Sequence, residues 1–428
     1  MKVFKFGGAS VNSADAVKNV VTIVNNYIDD NLLIVISAMG KTTNALEQLT
    51  DAYYNNDAYS FIYNNIKDYH HNIINELFAE DKSIILNDIN TLFKSLDKKL
   101  NLKPTTNYDY EYDQIVVYGE LLSTKIIHHY LKTTGVWNIW FDARKVIITD
   151  NTFKEAKVNW ELTSDEIDFS IASKYKNNEN RIIITQGFIG GTLNGISTTL
   201  GREGSDYTAS IFAYCLNAEE VIIWKDVPGV LNADPKYFED THKLDSISYR
   251  EAIELAYYGA SIIHPKTIKP LQNKNIPLRV KSFINPDESG TIISDIDHAD
   301  GLMPSFIFKK NQTLVSISPR DFSFIAEDNL SDIFRIIADT GIKINLMQNS
   351  AISFSICIDE NKKRLDRLIE SLKKDYQVKY NQELELITIR HYDQQTIDKI
   401  VGNRRIYVEQ KNRLTTQLIV ETNTPDRY

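Results

Sequence analysis

Between Thr198 and Ala209 the chain reads TTLGREGSDYTA: a cluster of hydroxyls, two glycines, an arginine and an aspartate set directly before an apolar run. Glycine amides at a helix N-terminus, together with the helix dipole, face phosphate favourably. An arginine in the same turn grips a carboxylate through two parallel N–H bonds. A plain surface turn with Asp206 in the first helical turn also fits the local pattern, but it leaves Arg202 and the hydroxyls without a purpose.

Four other stretches carry chemistry of a compatible kind. Lys5-Phe6-Gly7-Gly8-Ala9-Ser10 places a cation at a strand end, then two glycines that admit close backbone approach, then a hydroxyl. No GxxxxGK[ST] or GxGxxG accompanies it, so alone it reads more readily as a structural turn. Ser37 to Asn44 (SAMGKTTN) offers hydroxyls and amides after an apolar run. Gly119-Glu120 interrupts a helical pattern, where glycine costs about 1 kcal/mol relative to alanine, so close backbone access is expected beside Glu120, with a solvated glutamate the alternative. Trp224 to Lys236 (WKDVPGVLNADPK) leaves a strand through two turn signals with charges on either side, which suits a nucleotide contact or a surface loop.

The elements that would hold these stretches alternate. Val3–Phe6 and Leu32–Ser37 are β-rich runs flanking a helical pattern capped by Ser13; Arg181–Gln186, Ser205–Leu216 and Val221–Trp224 repeat the order strand, helix, strand. That order predicts α/β architecture with an open, mainly parallel sheet, whose ligands lie at the C-terminal strand ends. Asp51 to Leu100 predicts a helical insertion, and Asp113–Leu131 a further helix.

Pro286, Gly290, Gly301 and Pro304 among acidic residues mark a boundary, giving domains at 1–300 and 305–428. Beyond it, Thr313–Ser318, Leu330–Asp339, Ile342–Met347, Ile352–Ile358, Lys362–Lys374 and Gln377–Tyr380 read strand, helix, strand, strand, helix, strand, the ferredoxin-like α+β order. Glu383–Arg390, Gln394–Val401, Arg404–Glu409 and Thr415–Glu421 predict an abbreviated second copy, so that 305–380 forms a full module and 381–428 a partial one.

With 428 residues, 43% of them apolar, the chain can fill more than one core. A net charge of −9 without a basic block argues against nucleic acid or an anionic membrane as partner. The absence of a signal-like N-terminus and of a long apolar segment predicts a cytoplasmic protein. Cys215 and Cys357, each inside an apolar run, read as buried and reduced.

In this order the motifs KFGGAS, GELLST, WFDAR, TQGFIG, TTLGREGSDYTA, WKDVPGVLNADP and YGASIIHP resemble those of the aspartate kinases of the amino-acid kinase superfamily, over residues 2–290. The resemblance implies phosphorylation of the L-aspartate β-carboxylate by ATP with Mg²⁺, followed by ACT-type regulatory modules and a homodimer formed through them. It makes Lys5 the cation for the transferring phosphoryl group and Asp206 the group that holds Lys5. Arg202 would take the aspartate α-carboxylate and Glu120 its ammonium, with Ser37, Thr43 and Ser205 completing the pocket. ATP would lie along Gly7, Gly8, Lys225, Asp226, Leu231 and Lys236, with no metal held by protein ligands.

Ala9, Glu203, Leu231 and Ser261 depart from the family pattern. Glu203 would bring negative charge near phosphates and Ser261 remove a positive one. Asn345 and Ala351 stand where the lysine-sensitive branch carries carboxylates, so lysine inhibition is expected to be weak. A kinase of another acidic substrate, such as glutamate, and a non-catalytic amino-acid sensor on a decayed kinase are the competing readings.

Overall fold

The computed structural model describes residues 1–79, 81–176, 181–260, 263–296, 303–321 and 323–422. Its first unit comprises Met1–Val230, Lys243–Ile253 and Ile263–Asp297; its second comprises Leu231–His242, Glu254–Ile262 and His298–Tyr428.

The first unit opens with β1 (Lys2–Phe6), α1 (Ala14–Asn25) and β2 (Leu32–Ile36). Ser13 caps α1 by accepting from Ala16 N–H at 3.2 Å, and Val17, Val20, Ile23 and Val24 form its buried stripe. Five helices follow: α2 (Thr42–Tyr54), α3 (Ser60–Leu77), α4 (Ser83–Leu100), α5 (Tyr108–Val116) and α6 (Tyr118–Thr133). The single helix expected over 113–131 is thus two, parted at Val117. After β3 (Ile139–Phe141), α7 (Trp160–Ile167) and α8 (Ser173–Lys176) come β4 (Ile182–Gln186), the hairpin β5 (Ile189–Gly191) and β6 (Ser197–Thr199), α9 (Gly204–Leu216) and β7 (Glu220–Lys225). The series closes with β8 (Ser246–Ser248), the part of α10 (Tyr249–Tyr258) up to Ile253, α11 (Pro265–Asn273), β9 (Leu278–Ser282) and β10 (Thr291–Ser294).

Eight strands form one sheet in the order β3-β4-β2-β1-β7-β9-β10-β8, with every neighbouring pair parallel except β9 and β10. Every residue of β2 and β4 is buried, as expected where helices cover both faces. Phe6 pairs with Ile36 and Trp224, and Ile36 with Gln186, so the C-terminal ends of β1, β2, β4 and β7 are level. Four loops therefore open along one edge.

The second unit contains β11 (Ser305–Pro319), α12 (Glu327–Thr340), β12 (Ile344–Asn349), β13 (Phe354–Asp359), α13 (Lys362–Leu372), β14 (Tyr376–Arg390), α14 (Gln394–Val401), β15 (Ile406–Lys411) and β16 (Thr415–Glu421). Its antiparallel sheet runs β12-β13-β11-β14-β16-β15. Two α+β modules share β11 and β14, which pair along their whole length, and each long strand carries a left-handed residue, Asn311 and Glu383. Register shifts near Gln312 mark a bulge where one module gives way to the other. The two strands expected at 377–380 and 383–390 are one, and Ser305–Lys309 pairs with Leu386–Arg390 in the module that also holds α14, β15 and β16.

Among the described residues no helix is long and apolar enough to cross a membrane.

Candidate active site

A cavity of about 550 Å³ opens at the level strand ends of the first unit. On its floor the Lys5 ammonium lies 2.7 Å from Asp206 Oδ1, with only 11% and 5% of the two side chains exposed. Lys5 arrives from β1 and Asp206 from the first turn of α9, so two separate elements fix the pair. A buried ion pair of this kind keeps a cation in place without letting water screen it.

Gly7 and Gly8 flank this pair but do not line the cavity. A Cβ on Gly7 would come 3.4 Å from Lys5 Nζ, and one on Gly8 would press to 2.9 Å from the carbonyl oxygens of both Ala38 and Gly40. Gly40 N–H donates to Gly8 O at 3.0 Å and Ser37 N–H to Phe6 O at 3.1 Å, so the loops after β1 and β2 are sewn together. Close loop packing is what requires glycine at 8.

The turn before α9 is built from left-handed residues, Gly201 at φ 75° and Glu203 at φ 53°. Glu203, where the sequence pattern anticipates glycine, accepts from His264 N–H at 2.8 Å through Oε2. Gly204 and Gly187 let two segments interlock: a Cβ on Gly204 would meet the Phe188 ring at 2.6 Å, and one on Gly187 the Ser205 Cβ at 2.5 Å. Arg202, Glu203, Gly204, Ser205 and Asp206 all line the cavity as a result.

Glu120 enters from the first turn of α6. Gly119 beside it lets the helix approach the loop after β2, since a Cβ there would stand 2.9 Å from Ala38 Cβ and 3.3 Å from Leu46 Cδ1. Glu120 Oε1 accepts from Ala38 N–H at 3.2 Å, while Oε2 has no partner among the described residues. With 2% of the residue exposed, burial pushes its carboxyl up to about 8, and the Ala38 bond only partly opposes that shift. A buried carboxyl with one idle oxygen suits a ligand cation. Ser37, whose carbonyl accepts from Ser123 Oγ at 2.8 Å, and Thr43, on the first turn of α2, complete this wall.

Other motif residues serve as framework. Gln186 accepts from Ala143 N–H at 2.8 Å and donates to Thr124 Oγ1 at 2.9 Å, which also receives Trp140 Nε1. Arg144 binds both oxygens of Asp142, at 2.9 and 2.7 Å. TQGFIG, GELLST and WFDAR are tied together through these bonds.

Eight of the expected site residues thus meet in one cavity: Lys5, Ser37, Thr43, Glu120, Arg202, Ser205, Asp206 and Lys225. Asp226 is exposed beyond β7 and off the lining. Leu231 and Lys236 belong to the second unit, the former half-buried and the latter exposed, with Lys236 N–H donating to Asp234 Oδ1 at 2.9 Å. Ser261 lies outside the described residues. Tyr112, Lys154, Glu155 and Phe188 also line the cavity and were not anticipated. Tyr112 lies one residue before the helix expected over 113–131 and falls within α5, which starts earlier, at Tyr108.

Among the described residues no three His, Cys, Asp or Glu side chains converge on a metal position. The lining carries Lys5, Lys154, Arg202 and Lys225 against Glu120, Glu155, Glu203 and Asp206, four formal charges of each sign. Such a surface can hold a zwitterion by both ends and a phosphate by a fixed cation.

The model of the amino acid kinase family matches residues 1–282 of the chain. Aspartokinase 1, chloroplastic, of Arabidopsis thaliana is 34% identical over 388 residues, which span 87% of this chain and 67% of that protein. The structure of E. coli aspartokinase III in complex with lysine and aspartate (T-state) is similar with a TM-score of 0.82 at 27% identity, covering 98% of this chain and 96% of that one. The E. coli aspartokinase III structure in complex with aspartate and ADP (R-state) gives a TM-score of 0.81 at 26% identity with the same coverage.

Proposed function

This chain belongs to the amino acid kinase family and, within it, to the aspartokinases, and from that premise we propose how its cavity phosphorylates aspartate. A β-carboxylate oxygen of L-aspartate attacks the γ-phosphorus of ATP, the bond to the β,γ-bridging oxygen breaks, and 4-phospho-L-aspartate and ADP result. The nucleophile is already ionised at neutral pH, with a carboxyl pKa of about 4, so the site needs no general base. Its task is positioning and charge neutralisation.

The carrying observation is the Lys5–Asp206 pair, 2.7 Å apart and nearly buried on the cavity floor. Lys5 would neutralise charge on the transferring phosphoryl oxygens while Asp206 holds its ammonium in place. Arg202 suits the α-carboxylate. Glu120, with its idle oxygen, suits the α-ammonium, and Ser37, Thr43 and Ser205 supply hydroxyls around the acceptor. The nucleotide phosphates would lie toward Lys225 and the Gly7-Gly8 turn.

The cations of the lining are largely offset by its own carboxylates and leave most of a triphosphate's charge uncompensated, which fits an Mg²⁺ ion carried in on the phosphate oxygens. When bound it would supply charge neutralisation, and no protein side chain would need to ligate it.

We assign residues 1–300 to catalysis and 305–428 to ACT-type regulation, with a homodimer formed through the regulatory sheet, whose edge strands β12 and β15 offer unpaired backbone. The unpaired cysteines Cys215 and Cys357 suit a reducing compartment such as the cytoplasm.

The test is incubation with ATP, Mg²⁺, hydroxylamine and either aspartate or glutamate, with measurement of the acyl hydroxamate. Aspartyl hydroxamate is expected. Product from glutamate alone would assign another acidic substrate, and no product from either would return the sensor reading.

A further inference from the structure

Lys154 is a lysine in a backbone conformation that favours glycine, and it lines the substrate cavity. Its φ is 66°, in the left-handed region where a Cβ is crowded. The surroundings hold it there. Its N–H donates to both oxygens of Asp113, at 3.2 and 3.1 Å, and its carbonyl accepts from Thr199 Oγ1 at 3.2 Å. Thr199 binds the same carboxylate through its own N–H at 2.9 Å and its hydroxyl at 2.7 Å. Asp113 is wholly buried. One carboxylate from α5 thus clamps the Lys154 backbone to the strand that leads into Arg202. Beside the clamp, Glu155 bridges Leu200 in antiparallel fashion, and a Cβ on Gly201 would press to 3.0 Å from Glu155 Cγ.

A glycine would adopt this backbone without strain. Strain maintained by a buried clamp calls for a reason in the side chain. That side chain ends 4.5 Å from the centroid of the Tyr112 ring, 5.0 Å from that of Tyr108 and 3.8 Å from Asp109 Oδ1. Its hold is loose, because 35% of the lysine side chain and 55% of Asp109 are exposed, so water competes for both charges. Tyr112 itself lines the cavity. The ammonium therefore rests on an aromatic wall of the site, on a flexible stem rooted in a rigid backbone.

We propose that Lys154 is a second substrate-binding cation, which leaves the Tyr112 face to meet the α-carboxylate of the amino-acid acceptor alongside Arg202. The inference rests on the reading of this cavity as the aspartate site. The clamp gives it direction: Thr199 ties the Lys154 backbone to the turn that presents Arg202, so the two cations move as one wall. A carboxylate held from two sides loses more orientational freedom than one held by Arg202 alone.

Lys154→Gly separates charge from backbone, because it removes the ammonium while relieving the left-handed strain. The expected result is a melting temperature equal to or above that of the parent, a KM for aspartate raised about tenfold, and kcat and the KM for ATP within about twofold, the pattern of lost uniform binding. Lys154→Arg should restore most of the affinity. A Lys154→Gly enzyme whose KM for aspartate stays within twofold of the parent overturns the assignment, as does an arginine variant no better than glycine. A parent protein without aspartate kinase activity overturns the functional reading and this one together; an active parent with an indifferent Lys154 overturns this one only.

Discussion

Glu203 Oε2 accepts the His264 backbone N–H at 2.8 Å, joining the residue before α9 to the residue that caps α11. The carboxylate that the sequence set among the phosphates is thereby occupied by a protein donor. Its left-handed backbone is the cost of placing a side chain where glycine would sit freely, of order 1 kcal/mol or more. A hydrogen bond to a charged acceptor offsets that by about 1.5–3 kcal/mol. Glu203→Gly should therefore change melting temperature little and the KM for ATP by less than about threefold. Steady-state kinetics against ATP check this; a tenfold gain in nucleotide affinity would show the carboxylate opposing phosphate after all.

Glu120 should impose a pH dependence. Burial raises its carboxyl to about 8, so below that pH the free enzyme holds it neutral and unable to pair with the substrate ammonium. The ratio kcat/KM for aspartate is expected to rise about tenfold per pH unit toward pH 8 and then level. With substrate bound, the ammonium favours the ionised form, so kcat should be flatter. Glu120→Gln should be weakly active and lose the limb.

The same shift bears on stability. The folded-state value lies above the ordinary 4.5, so the native protein binds this proton first; the contribution to folding is fully present below about 4.5 and is lost as pH rises through 8. Thermal melts of Glu120→Gln should exceed the parent near pH 8 and converge with it as the pH falls. A variant less stable than the parent at pH 8 would contradict the account.

Arg404 and Glu385 form a buried pair at 2.6 Å in the second unit, 4% and 3% exposed, and Arg404 also donates to the carbonyls of Ile400 and Val401 at the end of α14. Arg404→Ala removes one member of this buried ion pair together with its bonds to the end of α14 and should cost about 3–5 kcal/mol, whereas an apolar replacement of both residues should recover much of it. Denaturant melts of the three proteins decide this.

Lysine should inhibit weakly. The Asn345 amide donates to Gln312 and Asp359, each at 2.8 Å, and its oxygen accepts the Lys309 ammonium at 2.9 Å, so this position is spent on internal bonds and carries no charge. Ala351 supplies only a methyl. An inhibitor ammonium would find neither carboxylate of the lysine-sensitive branch. Activity suppressed by sub-millimolar lysine would contradict this.

Much of this was legible in the sequence because local chemistry set it. Ser13 before an apolar stripe, and Gln394–Val401 between strands, specify their elements within a few residues. The parting of α5 from α6 falls at Val117, two residues before the Gly119 that interrupts the helical pattern, so its neighbourhood was legible and its position was not. The single strand β14 was hidden by Asn381-Gln382-Glu383, which reads as a turn but is carried through by pairing with β11. The site divides in the same way. Lys5, Glu120, Arg202 and Asp206 stand beside glycines that announce close packing. Lys154 and Tyr112 reach the cavity through the Asp113 clamp, a contact between residues 41 and 86 positions apart that no spacing rule foresees.

The central claim is that the Lys5 ammonium, held by Asp206, acts on the transferring phosphoryl group rather than merely filling a buried position. The most direct measurement is aspartyl hydroxamate formation by Lys5→Met at saturating ATP and aspartate. The account predicts a kcat reduced by about a thousandfold or more with the KM for aspartate within about threefold of the parent. A folded Lys5→Met protein whose kcat stays within tenfold of the parent would contradict it.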